Sequence, residues 1–251
     1  MCFAGEVVEA PASGAFPNGT RLFGVAPAGA HAEYLTVAPD IAIARIPDTV
    51  SYTEAASVPF GALAALVFLH DFAKIKRGQK ILIGGASGSV GVYAVQIAHH
   101  FGTDVTAVAS AANLPLLQDL GAHNVVDYTT TDIGNLATRF DVVLDTAGTL
   151  RYSTARRILT PDGVFVPLEF DLPEILQSLL SARGRVKIGV SEDRREDLQV
   201  IVKLLADNTL RPVIDRHYTI DQIAKAHIRV ASRHKPGTVV LQVAPDMVLG
   251  T

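Results

Sequence analysis

Three glycines spaced three apart, Gly85, Gly88 and Gly91 in "ILIGGASGSVGVYAVQIAHH", carry the clearest chemical signal in the chain. A glycine turn between an apolar strand and a helix lets a diphosphate approach the backbone, and the helix N-terminus attracts its charge. In that reading Gly85 permits the tight turn, Gly88 bares the backbone to the pyrophosphate, and Gly91 lets helix and strand pack closely. Ala86, Ser87, Ser89 and Val90 complete the loop. The spacing is G-x-x-G-x-x-G, not G-x-G-x-x-G, and the competing reading is a turn that serves the fold alone.

A dinucleotide loop needs a partner about twenty residues on, where a carboxylate would bind the ribose 2′-hydroxyl of NAD. That place falls to Ser110, which closes "DVTAVAS"; Asp104 opens the same segment and so belongs to the wrong end of the sheet. A serine can donate to a 2′-phosphate that a carboxylate would repel, which favours NADP. The following "AAN" brings no Arg or Lys to neutralise that phosphate. The alternative role for Ser110 is to cap the next helix.

These residues require strands and helices in alternation, and the chain supplies them. "KILIG" is followed by apolar segments at 104–110, 124–128, 141–148, 163–168 and 186–190, with helical patterns such as "LPLLQDLGA" between them. Continuous apolar cores without clean alternation suit parallel strands buried on both faces. Six strands interleaved with helices predict an α/β fold built on a Rossmann-like doubly wound parallel sheet. Before it, "EVVEA", "RLFGV" and "APAGAHAEYLTV" read as short strands and turns. "SYTEAASVPFGALAALVFLHDFAKI" reads as mostly helical. After residue 210 come a strand in "RPVIDRHYTI", a helix opened by Asp221, and a closing strand in "GTVVLQV". The expected division is a β-rich piece at 1–50, a dinucleotide-binding domain at 51–208, and a segment at 209–251 that returns to the β-rich unit.

Composition narrows the classes. The chain has 251 residues, 49% hydrophobic and 19% charged, with a net charge of −3, which fits a globular protein with a full core rather than disorder. No Lys/Arg cluster suggests a nucleic-acid partner. One cysteine, Cys2, excludes a disulfide framework and a Cys-rich zinc site, and suits a reducing, cytoplasmic setting. No signal peptide is visible, and the longest apolar run, 58–69, is too short to span a bilayer, so no membrane partner is expected.

"SVPFGALAALVFL", "GQKILIGGASGSVGVYAVQIA", "VTAVASAANLPLLQDLGAHNVVDY" and "FDVVLDTAG" together resemble the zinc-independent quinone oxidoreductases of the medium-chain dehydrogenase/reductase superfamily. "CFAGEVVEA" and "GAHAEYLTV" resemble that family's GroES-like substrate domain, so the likeness covers nearly the whole chain. The resemblance implies reduction of a quinone or enone by hydride from NADPH, with no metal, in a homodimer. It also implies that Tyr128 lies near the adenosine ribose or phosphate. Thr146, Ala147, Pro167 and Leu168 would approach the ribose and nicotinamide. Tyr128 could instead pack on the sheet, and Pro167 could simply end its strand. The chain departs from the family pattern where a preceding N-terminal section is usual, at Leu63-Ala64-Ala65, at Thr238, and in the missing cation after Ser110.

Quinone reduction asks little of side chains, because the cofactor carries the hydride. Tyr34 and His31 of "GAHAEY" are the candidate proton donors if their loop faces the substrate, and His99 and His100 complement the dipole at a helix end. Zinc alcohol dehydrogenase chemistry lacks its ligands here, and the short-chain Tyr-x-x-x-Lys motif is met only by Tyr152 and Arg156. The later segments do not suit a methyltransferase. The alternative from another class is a non-catalytic or regulatory NADP-binding protein with an incomplete substrate cleft.

Overall fold

The computed structural model describes residues 1–243 apart from 13, 39, 173–174 and 177–183. The chain divides into two compact units, residues 1–60 with 193–251, and residues 61–192.

The second unit holds the parallel sheet. Its strands are β4 (Lys80–Gly84), β5 (Asp104–Ala109), β6 (Asn124–Asp127), β7 (Phe140–Asp145) and β8 (Leu159–Pro167), in the order β6-β5-β4-β7-β8. The interior positions of β4 are all buried, and Ile81, Leu82 and Ile83 are fully so. Each such side chain contributes about 1.5–3 kcal/mol to folding. That central place explains why "KILIG" shows no polar alternation. Helix α3 (Gly91–His100) joins β4 to β5, α4 (Leu114–Asp119) joins β5 to β6, and α5 (Tyr152–Ile158) leads into β8. The chain runs outward from β4 through β5 to β6, then crosses back to β7 on the other side. The direction of winding therefore reverses between β4 and β7, where sheets of this kind bind ligands at their carboxyl ends.

Gly84 stands opposite both Val108 and Asp145, Ala109 opposite Asp127, and Asp145 opposite Pro167. The ends of the five strands thus line up to within one residue. Whatever follows each of them emerges along one edge.

The expected sixth strand at 186–190 is reduced to one bridge, Val186 to Phe165. The Phe165 amide donates to Arg185 O at 2.7 Å, and the Lys187 amide donates to Phe165 O at 2.8 Å. The next rung would need an amide at position 167, and Pro167 has none. On the other side, Gly163 O accepts from the Arg185 guanidinium at 3.1 Å.

The first unit contains an antiparallel meander of β1 (Cys2–Glu6), β2 (Arg21–Val25) and β3 (Ile43–Arg45). The first strand lies four residues before the expected "EVVEA", and "APAGAHAEYLTV" forms bends and irregular chain instead of a strand. Helix α1 (Tyr52–Ser57) starts with a capping box: the Glu54 amide donates to Ser51 Oγ at 3.2 Å, and the Ser51 amide to the Glu54 carboxylate at 2.9 Å. Helix α2 (Pro59–Val67) follows, continued by a π-helical turn at Phe68–Phe72.

Helix α6 (Arg195–Ala206) buries Leu198, Ile201, Leu204 and Leu205 and packs on β3, so it belongs to the first unit. The boundaries therefore lie at 60/61 and 192/193, where the sequence led to 50/51 and 208/209. Strands β9 (Ile214–Thr219) and β10 (Thr238–Gln242) form a parallel pair joined through α7 (Ile223–Ala231). Asp221 does not open α7; it lies inside a short 3-10 turn, Ile220–Gln222. Arg229 fastens α7 to β9 through a bidentate pair with Asp215, at 2.6 and 2.7 Å. Among the described residues, no helix is long and apolar enough to cross a membrane.

Candidate functional site

The glycine loop runs from the end of β4 into α3, and its three glycines answer to different demands. Gly85 has a φ of +67°, the left-handed region that disfavours side chains. A Cβ there would also lie 2.5 Å from Ala147 Cβ and 2.9 Å from Thr146 Oγ1. Gly91, the first residue of α3, sits directly on the preceding turn, and a Cβ would come within 2.6 Å of the Ala86 backbone. Gly88 is different. Among the described residues, only Gly85 O, at 3.3 Å, lies within 4 Å of the place its Cβ would take, and its φ is not left-handed. Of the three positions, 88 is the one where the fold presses least on a side chain.

The loop's own hydrogen bonds leave a gap on the same side. The Ala86 amide donates to Val108 O at 3.0 Å and the Gly88 amide to Gly85 O at 2.9 Å. The amides of Ser89, Val90 and Gly91 donate to no carbonyl among the described residues, the usual state of a helix start. Unbonded amides, a helix dipole and an empty side-chain position together form a cradle that suits a phosphate group.

The other expected residues follow the ends of their strands. Ser110 comes directly after β5 and has extended dihedrals at the head of a 3-10 turn, yet its side chain makes no capping hydrogen bond. Its Oγ accepts instead from Asn113 Nδ2 at 3.3 Å, and the same amide group reaches Ser87 Oγ at 3.3 Å. Tyr128 follows β6; its amide donates to Ala109 O at 3.2 Å, and its side chain is 52% exposed, so it does not serve mainly to pack the sheet. Thr146 follows β7. Its hydroxyl donates toward Gly84 O at 2.8 Å and Gly85 O at 3.0 Å, tying β7 to the glycine turn. Ala147 abuts Gly85. Pro167 ends β8 and is buried, while the Leu168 amide donates to Asp145 O at 2.9 Å.

His31 and Tyr34 belong to the first unit, in the segment between β2 and β3. Both are exposed, Tyr34 to 74%, and the His31 ring lies edge-on to His227 at 6.3 Å. His99 and His100 occupy the last turn of α3, as a dipole role requires, and His99 also stands 5.3 Å from the His123 ring. Among the described residues, no group of three or more His, Cys, Asp or Glu side chains could hold a metal ion.

Three residues of this region escaped the sequence reading. Asn113 links the glycine loop to Ser110, but three places after a serine it reads as an ordinary helix-start residue. Gly61 of α2 lies against the Tyr93 ring, which the helical pattern around it hides. Asp145 is fully buried and accepts from backbone amides of the following turn. Its signal was a carboxylate closing the apolar run Val142-Val143-Leu144.

A model of the zinc-binding dehydrogenase family matches residues 120–241. A chloroplastic quinone-oxidoreductase homolog of Spinacia oleracea is 31% identical over 256 residues, which cover 95% of this chain and 78% of that protein. A mitochondrial NAD(P)H oxidoreductase of Drosophila melanogaster is 28% identical, with 97% and 68% covered. Among solved structures, the quinone oxidoreductase from Coxiella burnetii superposes with a TM-score of 0.87 at 28% identity, covering 97% of this chain and 78% of that one.

Proposed function

The chain belongs to the quinone oxidoreductase-like family of the medium-chain dehydrogenase/reductase superfamily, and from that premise we propose that it is a nicotinamide-dependent oxidoreductase. Gly88 carries the reading. It is the loop glycine on which the protein's own packing presses least, and it would open the backbone where a diphosphate would rest. The amides of Ser89, Val90 and Gly91 would hold that group, with Ala86 and Ser87 shaping the turn.

NADPH is the proposed cofactor and a quinone or enone the substrate, reduced without zinc. When bound, the dihydronicotinamide supplies the hydride. Ser110 would donate to the 2′-phosphate, held in place by Asn113, and Tyr128 would flank the adenosine end. The Thr146 proton is committed to the Gly84 and Gly85 carbonyls, so toward the ribose this hydroxyl would act as an acceptor. Ala147, Pro167 and Leu168 would form the wall that positions the nicotinamide and keeps water from it. Tyr34 and His31 remain the proposed proton donors, and a homodimer the proposed assembly. A reducing, cytoplasmic setting rests on the single cysteine.

The test is steady-state oxidation of NADPH by a simple quinone, followed by the loss of dihydronicotinamide absorbance. Turnover that saturates with both reactants supports the proposal. Binding of NADPH with no turnover of any quinone or enone would instead favour a non-catalytic NADP-binding protein.

A further inference from the structure

Asp145 is the last residue of β7 and is completely buried. Its Oδ1 accepts from the Ala147 amide at 3.2 Å and its Oδ2 from the Leu150 amide at 2.7 Å, and the Thr149 amide also donates to this carboxylate. No cation among the described residues pairs with it. Burial pushes its carboxyl above the ordinary carboxylate range, the amides pull it down, and the charge of Glu169 raises it further. A buried carboxylate without a counter-ion is unfavourable unless donors replace its water. Here they come from one turn.

That turn meets the glycine loop. Thr146 bonds to Gly84 and Gly85 through both its amide and its hydroxyl, and Ala147 blocks any side chain at Gly85. Leu150 lies 3.0 Å, and Asp145 Oδ1 3.2 Å, from the place a Cβ on Gly84 would occupy. The carboxylate therefore gathers the turn over the end of β4, at the point where the winding of the sheet reverses. Asparagine cannot replace it, since one of the two accepting oxygens would become a donor facing an amide donor.

We propose that Asp145 is a positioning residue: by collecting the amides of Ala147, Thr149 and Leu150 it sets Thr146 and Ala147 against Gly85 and so fixes where the nicotinamide end of the cofactor rests. The inference rests on the nicotinamide-dependent reading above. It separates the two halves of the cofactor, because the amides of Ser89, Val90 and Gly91, with Ser110 and Tyr128, would hold the adenosine half, whereas this turn bonds to the loop at Gly84 and Gly85.

The experiment uses the full chain with Asp145→Asn, and with Gly148→Ala as a second variant. Gly148 has a φ of +66°, and a Cβ there would meet the Glu169 carboxylate at 2.6 Å, so alanine strains the same turn while leaving Asp145 intact. Thermal unfolding establishes that each variant folds. Affinity for ADP-ribose or its 2′-phosphate, which lack the nicotinamide, should stay within about twofold of the parent. The fluorescence anisotropy of the bound dihydronicotinamide should fall toward that of free NADPH, and hydride transfer to a quinone should slow at least about tenfold. A folded Asp145→Asn with parental anisotropy and rate would overturn the inference. So would equal losses in both halves, or failure of both variants to fold, since each means a purely structural role. If the parent protein itself binds neither NADPH nor the ADP-ribose compounds, the nicotinamide reading falls and takes this inference with it.

Discussion

Replacing Gly88 with alanine separates a glycine kept for the fold from a glycine kept for a ligand. In the protein alone, the added methyl group would meet only Gly85 O, at 3.3 Å, a contact that a shift of a few tenths of an ångström relieves. Alanine also restricts the unfolded chain, which stabilises by about 0.4–1 kcal/mol where the native φ is compatible. These effects nearly cancel, so the melting temperature should move by no more than about 2 °C. Gly91→Ala is the control. Its methyl would press on the Ala86 backbone at 2.6 Å, which cannot rotate away, and such overpacking costs about 1–3 kcal/mol. Cofactor binding should reverse the severity for Gly88→Ala: the methyl group enters the space where the diphosphate approaches, and affinity should fall at least about tenfold, or 1.4 kcal/mol. Thermal unfolding and a fluorescence titration with NADPH read the two effects separately. A Gly88→Ala protein that keeps parental affinity would refute the reasoning, as would one destabilised as strongly as Gly91→Ala.

Other expectations follow from particular contacts. Thr146→Val removes a hydroxyl that donates toward two carbonyls and should cost about 0.5–1.5 kcal/mol in chemical denaturation. Burial pushes the Cys2 thiol from 9.0 to about 11, so its reaction with a disulfide reagent near pH 8 should be about 100-fold slower in the folded protein than after unfolding. Asp215 is held below its ordinary 3.8, chiefly by its hydrogen bond to Arg229. Because the folded-state value is the lower one, the pair stabilises fully above pH 3.8 and loses that effect as the pH falls through the folded-state value. Arg229→Met should therefore lower the melting temperature at pH 7, and the difference should shrink below pH 3.8.

The sheet was legible because its strands are covered on both faces, which leaves continuous apolar runs such as "KILIG" and "DVVL" that few other elements produce. The gathering of Ser110, Tyr128 and Thr146 on one edge follows from the alignment of the strand ends, so marking those ends was nearly enough to find them. The sixth strand misled because "VKIGV" looks like a strand in isolation. Its failure lies in a neighbour, Pro167, which lacks the amide for the next rung. Helix α6 was assigned to the wrong unit because its apolar stripe shows that it packs, but not that its partner is β3, 150 residues earlier. Asp145 acts through amides of the turn that follows it, whose path the side-chain pattern does not encode, and Asn113 reaches Ser87, 26 residues earlier, only because β4 and β5 lie side by side.

The central claim is that the glycine loop and Ser110 bind a nicotinamide dinucleotide and favour the phosphorylated one. The direct measurement is a titration of the purified chain with NADPH and with NADH. It reads the cofactor's own fluorescence, since the sequence contains no tryptophan. The account predicts saturable binding of both, tighter for NADPH. Tighter binding of NADH would contradict the role given to Ser110, and binding of neither would contradict the site itself.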